Sequence, residues 1–355
     1  MKNGIRSFFL IFLIVSAAVG LLLFSKQVRD SVLQAFSLSV STVIPGLFPF
    51  LVLSDFACNA FPVRTSEKTN RITEKLSGIP AAGLPAVLFG LTGGYLTGCK
   101  TAVSLYESGQ ISKKQAQRLT CFCFSPGLSF AVSAVGSGMI GSNTSGLLLF
   151  FCCTLSALLS GFFLHKEKDT QAENASRKRK LPFSHIFTMS VSESALSCLH
   201  LTAWMALFAG LQAILLSVLP QSTHASLTLL FEVTAGAVQC ISRADLPLCA
   251  AVLGFGGLCI FFQLLPDFQK IDLPAARFLR YRLLQAVLSM LFCKAALYFL
   301  PQLGIAQNVV MIKAYSINPT ASVFFLFACF IFILDLAPTK KMCYYIKEYK
   351  QNKEF

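Results

Sequence analysis

The sequence predicts an all-α polytopic membrane protein, and three observations carry that expectation. Of its residues 55% are hydrophobic and 13% charged, with a mean hydropathy of +0.66, far from the balance of soluble domains. Charges are gathered into a few short stretches: Ser7 to Ser25, Ser31 to Ser54, Leu76 to Cys99, Leu119 to His165, Ser194 to Phe231, Leu246 to Pro266 and Ala314 to Leu334 hold no Asp, Glu, Lys or Arg. A helix crosses about 30 Å of hydrocarbon with roughly 20 mainly apolar residues, and several of these runs are that long or twice that long. The runs also lack the alternation of a membrane barrel, which leaves helices as the way to satisfy the backbone in lipid.

The first run follows Lys2 and Arg6. No small-residue cleavage site comes after Phe24, and Lys26 and Arg29 follow at once, so it reads as a retained first span. The basic stretches are the N-terminus, 61–78, 100–118, 166–182, 267–282 and the tail after Pro338. Placed together in the cytoplasm they hold 24 of the 30 Lys and Arg, leaving only Lys26, Arg29 and Lys313 outside, while Lys100, Arg243 and Lys294 fall at or within apolar runs. The positive-inside rule therefore puts both termini in the cytoplasm. The same pattern accounts for the net charge of +14 without a nucleic-acid partner.

Parity then constrains the path. If 61–78 and 100–118 share one side, 80–99 must enter and return, and the same count makes 227–242 re-entrant from the other side. The expected spans are 7–25, 31–57, 119–141, 145–164, 190–219, 246–265, 283–303 and 320–337. The two re-entrant stretches match one another: Phe89, Thr92 and Gly94 align with Phe231, Thr234 and Gly236, and each is followed by a glycine-interrupted run, SPGL at 125–128 and FGGL at 255–258. Entering from opposite sides, they mark an inverted repeat, whose glycine breaks point to a transporter's binding site. The organisation expected is a single membrane domain over 1–355: a first repeat at 31–164, a basic cytoplasmic linker at 165–185, a second, inverted repeat at 186–303, a last span at 304–337 and a basic tail at 338–355.

Pro45 and Pro49 fall mid-span and remove two backbone donors, which reads either as a packing kink or as a discontinuous helix beside a substrate path. Gly93, Gly94 and Gly98 either permit close helix packing or open a site ahead of Lys100. Glu232 has no charged residue among the thirty-eight before it or the ten after it, and an ionisable group at such depth faces a cavity or a partner. Arg243 or Lys294 would be that partner, or Glu232 serves the site itself. Arg243 and Asp245 read equally as an interfacial pair; Lys294 and Asp335 could snorkel or pair. Asp55 and Lys100 lie near expected interfaces. The candidate substrate-binding set is Gly93, Gly94, Lys100, Ser125, Glu232, Thr234, Arg243, Gly256, Gly257 and Gln263.

No catalytic elbow, phosphate loop or paired acid and base occurs, so no enzyme activity and no cofactor are expected. Thirteen cysteines lie mostly inside apolar runs, where they act as small hydrophobes. Cys121 and Cys123 flank Phe122 with no second pair, and the four His are scattered, so no metal site is expected.

Residues 94–123, GYLTGCKTAVSLYESGQISKKQAQRLTCFC, resemble the sporulation integral membrane proteins of the YlbJ type, in which a G-Y-P-x-G-x-K segment precedes a short amphipathic helix and an ISKxxAxRL-like run. VIPGLFPFLVLSD at 43–55, FEVTAG at 231–236 and GFGGL at 254–258 with Gln263 are similar to that family too. The resemblance covers most of residues 30–300. It implies the fold of concentrative nucleoside transporters and their gate-type nucleoside-recognition relatives, and a role in passing dipicolinic acid across the outer forespore membrane. Two departures stand out: Leu96 replaces the family's proline, and 122–130 lacks the asparagines usual there. Besides the lipid bilayer, the expected partner is a small organic anion, dipicolinate. The alternatives are a nucleoside-like solute or a non-transporting scaffold of the spore envelope.

Overall fold

Backbone buried in hydrocarbon closes its hydrogen bonds within one segment, and the computed structural model follows that rule. It describes residues 2–60, 73, 80–162 and 182–301, and among them every regular element is helical. They fall within one compact unit, Met1–Ile312. Most of the basic stretch 61–78 and of the linker 165–185 lies outside the described residues, as do the expected last span and the basic tail with Lys313 and Asp335.

Helix α1 is Lys2–Leu23, and a single turn later α2 begins at Ser25–Leu38. A π-wound turn, Ser39–Val43, joins α2 to α3, Ile44–Ala60, without a break. That turn sits where Pro45, having no N–H, leaves the Ser41 carbonyl without its usual donor. The wider winding lets Ile44 donate to the Ser39 carbonyl instead. The helix therefore runs on through both prolines by way of a π-wound turn, and the discontinuous reading of this segment does not hold. A second long helix, α9 at Phe183–Val218, packs beside it; the buried hydroxyls of Ser39 and Thr202 meet at 2.6 Å, and the Phe56 ring rests on Phe183 and Phe187.

After each long helix comes the same order of elements. In the first half α4, Leu84–Gly93, and α5, Tyr95–Glu107, meet at Gly94. Then α6, Lys113–Phe122, is separated by a non-helical stretch from α7, Phe130–Ile140, which is wound as a π-helix, and α8 is Asn143–Phe162. In the second half α10, Gln221–Phe231, and α11, Val233–Ser242, meet at Glu232. Then α12, Leu246–Phe255, breaks at Gly256 into α13, Gly257–Lys270, and α14 is Ala275–Phe299.

Both short pairs fold back on themselves. A methyl group at Gly90 would stand 2.8 Å from the Gly98 Cα, which places residues four before and four after Gly94 side by side, and one at Gly236 would stand 3.3 Å from the Leu229 Cα. The arms are thus antiparallel hairpins, and Gly at 90 and 98 is what allows so close a crossing. Their extents differ from the sequence reading. The first hairpin runs from Leu84 to Glu107, not 80–99, and the second from Gln221 to Ser242, not 227–242. Lys100 therefore lies within a helical arm and does not open a loop.

Five helices are long and apolar enough to cross a membrane: Ser25–Leu53, Asn143–Gly161, Phe183–Val218, Leu246–Lys270 and Ala275–Phe299. They match five of the eight expected spans. The first expected span coincides with the apolar part of α1, and 119–141 is interrupted between Phe122 and Phe130. Two polar turns expected on one side of the membrane do face each other. Lys113 Nζ pairs with Asp272 Oδ2 at 2.5 Å, and Gln117 Nε2 donates to the Ile271 and Asp272 carbonyls at 2.7 and 3.0 Å. The hydrogen bond to Asp272, and then its charge, hold the exposed Lys113 ammonium above the ordinary lysine value.

Candidate functional site

A helix interrupted inside a bilayer leaves donors or acceptors that must find partners, and four interruptions meet here. At Gly94 the backbone takes φ +102° and ψ −176°, a conformation closed to L side chains without strain, so a glycine is required at this tip. A methyl group there would stand 3.2 Å from the Gly127 amide nitrogen, so the first tip rests on the non-helical stretch 123–127 of its own half. Likewise a methyl group at Gly257 would stand 3.0 Å from the Val233 nitrogen and 3.4 Å from the Glu232 Cα, which sets the second tip on the Gly256 break.

The halves then interlock. Tyr95, first residue after the Gly94 tip, donates its phenolic hydrogen to the Leu253 carbonyl at 2.7 Å, filling an acceptor at the C-terminal end of α12. Its ring lies 4.7 Å from that of Phe124, whose edge faces Gly256. In return α14 supplies donors to the end of α6. Arg282 Nη1 donates to the Phe124 carbonyl at 2.9 Å, its Nη2 donates to the Cys121 carbonyl, and Gln285 Nε2 donates to Phe124 at 2.8 Å. The Arg282 guanidinium is packed 4.2 Å over the Phe124 ring and 4.9 Å from Phe278. Each half thus satisfies the carbonyls that the other half's broken helix leaves open.

Glu232 is 6% exposed and has a specific task. Its extended backbone ends α10, and its carboxylate turns onto the start of α11, accepting from Thr234 N at 2.9 Å and Ala235 N at 2.6 Å. The dipole of α11 and these free N–H groups favour an anion there, and the chain supplies its own. Neither Arg243 nor Lys294 bonds to it. By contrast, no side chain caps the N-termini of α5 at Gly94 or of α13 at Gly256.

Of the residues singled out from the sequence, Gly93, Gly94, Ser125, Glu232, Thr234, Gly256 and Gly257 are gathered around these breaks. Three are not. Lys100 is exposed on α5, six residues past Gly94 or about 9 Å along the helix; it lies within electrostatic reach of Asp55 on α3 and Glu193 on α9. Arg243 is exposed at the C-terminal end of α11, eleven residues and about 16 Å of helix from Glu232. Gln263 is half-buried two turns into α13, donating to Cys259 Sγ at 3.4 Å. The two cations expected beside the breaks are therefore elsewhere, because each hairpin arm runs on as helix and carries its charge away from the tip.

Arg282, Gln285, Tyr95 and Phe124 went unrecognised. The charge pattern places Arg282 with the cytoplasmic loop 267–282, yet it is 1% exposed inside α14. One signal could have revealed it: Phe278, Arg282, Gln285, Ser289 and Cys293 recur at helical spacing and form the buried stripe of α14. Among the described residues ten cysteines are free and buried, and no three His, Cys, Asp or Glu converge as a metal site.

Over 297 residues the chain is 24% identical to the sporulation integral membrane protein YlbJ of Bacillus subtilis (strain 168), across 70% of this chain and 72% of that protein. This similarity supports the YlbJ-type resemblance read from the sequence. No protein-family model matches the chain, and no solved structure matches it.

Proposed function

We propose, from a chain of YlbJ-type sequence with membrane-spanning helices, that this protein transports a small organic anion, with dipicolinate moved out of the mother cell across the outer forespore membrane as the substrate. The observation that supports the reading is the meeting of two hairpin tips and two broken helices at one place, Gly94 with Gly127 and Glu232 with Gly257. Irregular backbone at such depth is tolerated where it is buried in protein or lines a path, and inverted repeats place a substrate site at such breaks. The repeated order of hairpin, broken span and span is what a two-fold repeat would give, and the uncapped N-termini of α5 and α13 offer N–H groups that suit a carboxylate. In this reading the protein binds and releases its solute unchanged, with no catalytic step and no cofactor. A scaffold of the spore envelope would use the same helices, with Glu232 serving only as a helix cap and Arg282 only as a carbonyl clamp.

The test is uptake of radiolabelled dipicolinate by vesicles containing only this protein. Accumulation above empty vesicles is expected; its absence, with folded protein present, leaves the scaffold or a nucleoside-like solute. The orientation is checked separately. A cysteine introduced at Arg177 is expected to react with an impermeant maleimide only after the cells are opened, because the basic stretches belong in the cytoplasm. Labelling from outside intact cells would reverse the topology.

A further inference from the structure

Arg282 sits where the proposed function needs a charge and where no loop explains it. The side chain is 1% exposed, and among the described residues it is ion-paired with no carboxylate. Two of its nitrogens hold the carbonyls of Cys121 and Phe124, and two phenyl rings cover its faces. Holding a carbonyl does not itself need a cation: Gln285, one turn on, holds the same Phe124 oxygen with a neutral amide. A buried guanidinium without a counter-ion is strongly disfavoured, so the charge itself calls for a partner.

The surroundings hold groups that could receive that partner. Arg282 Nε, Ser125 Oγ and Gln285 Oε1 are buried polar atoms without a hydrogen-bond partner, and Ser125 and Gln285 are fully buried. All three belong to side chains that either bond the Phe124 carbonyl or follow it in the chain. Buried donors and acceptors are almost always satisfied, so three orphans around one peptide point to an absent ligand, with or without water. Two of the three can donate to a carboxylate, Nε–H and Oγ–H, and Gln285 Oε1 can accept from a bridging water. Tyr95, at the first tip, lies within electrostatic reach of both Arg282 and Glu232. The site therefore runs between a fixed cation on α14 and a carboxylate already spent on α11.

We infer that Arg282 is the residue that makes the site select an anion, receiving one carboxylate of the solute together with Ser125, while Gln285 holds the Phe124 peptide in place. This rests on the transport reading above. It replaces Lys100 and Arg243 as the source of positive charge.

The experiment compares dipicolinate with its uncharged diamide, pyridine-2,6-dicarboxamide, as substrates in vesicles containing the purified protein. The wild type is expected to favour dipicolinate by at least about 10-fold in kcat/KM, Arg282→Gln to lose that preference while still taking up the diamide, and Arg282→Lys to retain most of it. Ser125→Ala removes a hydroxyl that makes no internal bond, is expected to fold as wild type, and weakens dipicolinate uptake by about 5-fold or more; it keeps the proposal testable if Arg282→Gln does not fold. A purely structural Arg282 would reduce both substrates equally in Arg282→Gln, and that result, or full dipicolinate uptake by Ser125→Ala, overturns the inference alone. A wild type that moves neither substrate overturns the transport reading and the inference with it.

Discussion

Gly256→Val is expected to lower the stability of the folded protein by roughly 2–6 kcal/mol, from αL strain and overpacking together. Gly256 takes φ +83°, where a β-branched side chain is strongly disfavoured, and a Cβ there would stand 2.5 Å from Phe124 Cε1 and 2.8 Å from its Cζ. Phe124 cannot simply yield, because its ring is held between Tyr95, Phe278 and the Arg282 guanidinium. Gly141 separates the two causes. It also has positive φ, +77°, but nothing lies within 4 Å of its Cβ position, so Gly141→Ala carries only the backbone strain, about 1–2 kcal/mol. Thermal unfolding in detergent, followed by the loss of monodisperse protein on a sizing column, measures both. Equal shifts for the two variants would mean that the contact between Phe124 and Gly256 does not hold the halves together.

The residues differ in how far they announced this arrangement. Uncharged runs without alternation indicate helices because lipid leaves the backbone no other partner, and five helices are long and apolar enough to span. The glycine pairs at 93–94 and 256–257 were legible as breaks, since glycine interrupts an apolar helix only where the backbone must turn or approach closely. Hairpin lengths were not legible. Lys100 reads from the sequence as a charge near an interface just past a re-entrant stretch ending at 99, yet the helix carries it on to Glu107. Arg282 was misplaced for the complementary reason: a charge count treats each arginine near the end of an apolar run as interfacial, and only the spacing of the α14 stripe shows that it points inward. Glu232 stands out in the sequence by its isolation and suggests a cation as its partner, yet its carboxylate is taken by backbone N–H groups. Sequence order cannot reveal that a side chain will fold back on the N–H groups two and three residues ahead of it.

Glu232→Ala is expected to abolish uptake, by about 100-fold or more in kcat/KM, while destabilising the protein by roughly 1–3 kcal/mol through loss of the helix cap. Without the carboxylate, the N–H groups of Thr234 and Ala235 lose the acceptors now at 2.9 and 2.6 Å in a buried setting, and the second tip loses the group that ends α10 and begins α11 together. Glu232→Gln separates shape from charge. Its amide oxygen can still accept from one of the two N–H groups, so the tip is expected to keep its fold. What it loses is the negative charge, and with it the ability to gain and release a proton. A dianion entering beside an ionised Glu232 is repelled, and a protonated Glu232 removes that repulsion. Wild-type uptake of dipicolinate is therefore expected to rise as the pH falls on the side of substrate entry, and Glu232→Gln, neutral throughout, to take it up at a rate that varies little with pH. Initial rates in vesicles across a pH series, corrected for the ionisation of dipicolinate itself, decide the matter. A Glu232→Gln profile that parallels the wild type would leave Glu232 as a structural cap and place any proton coupling elsewhere in the chain.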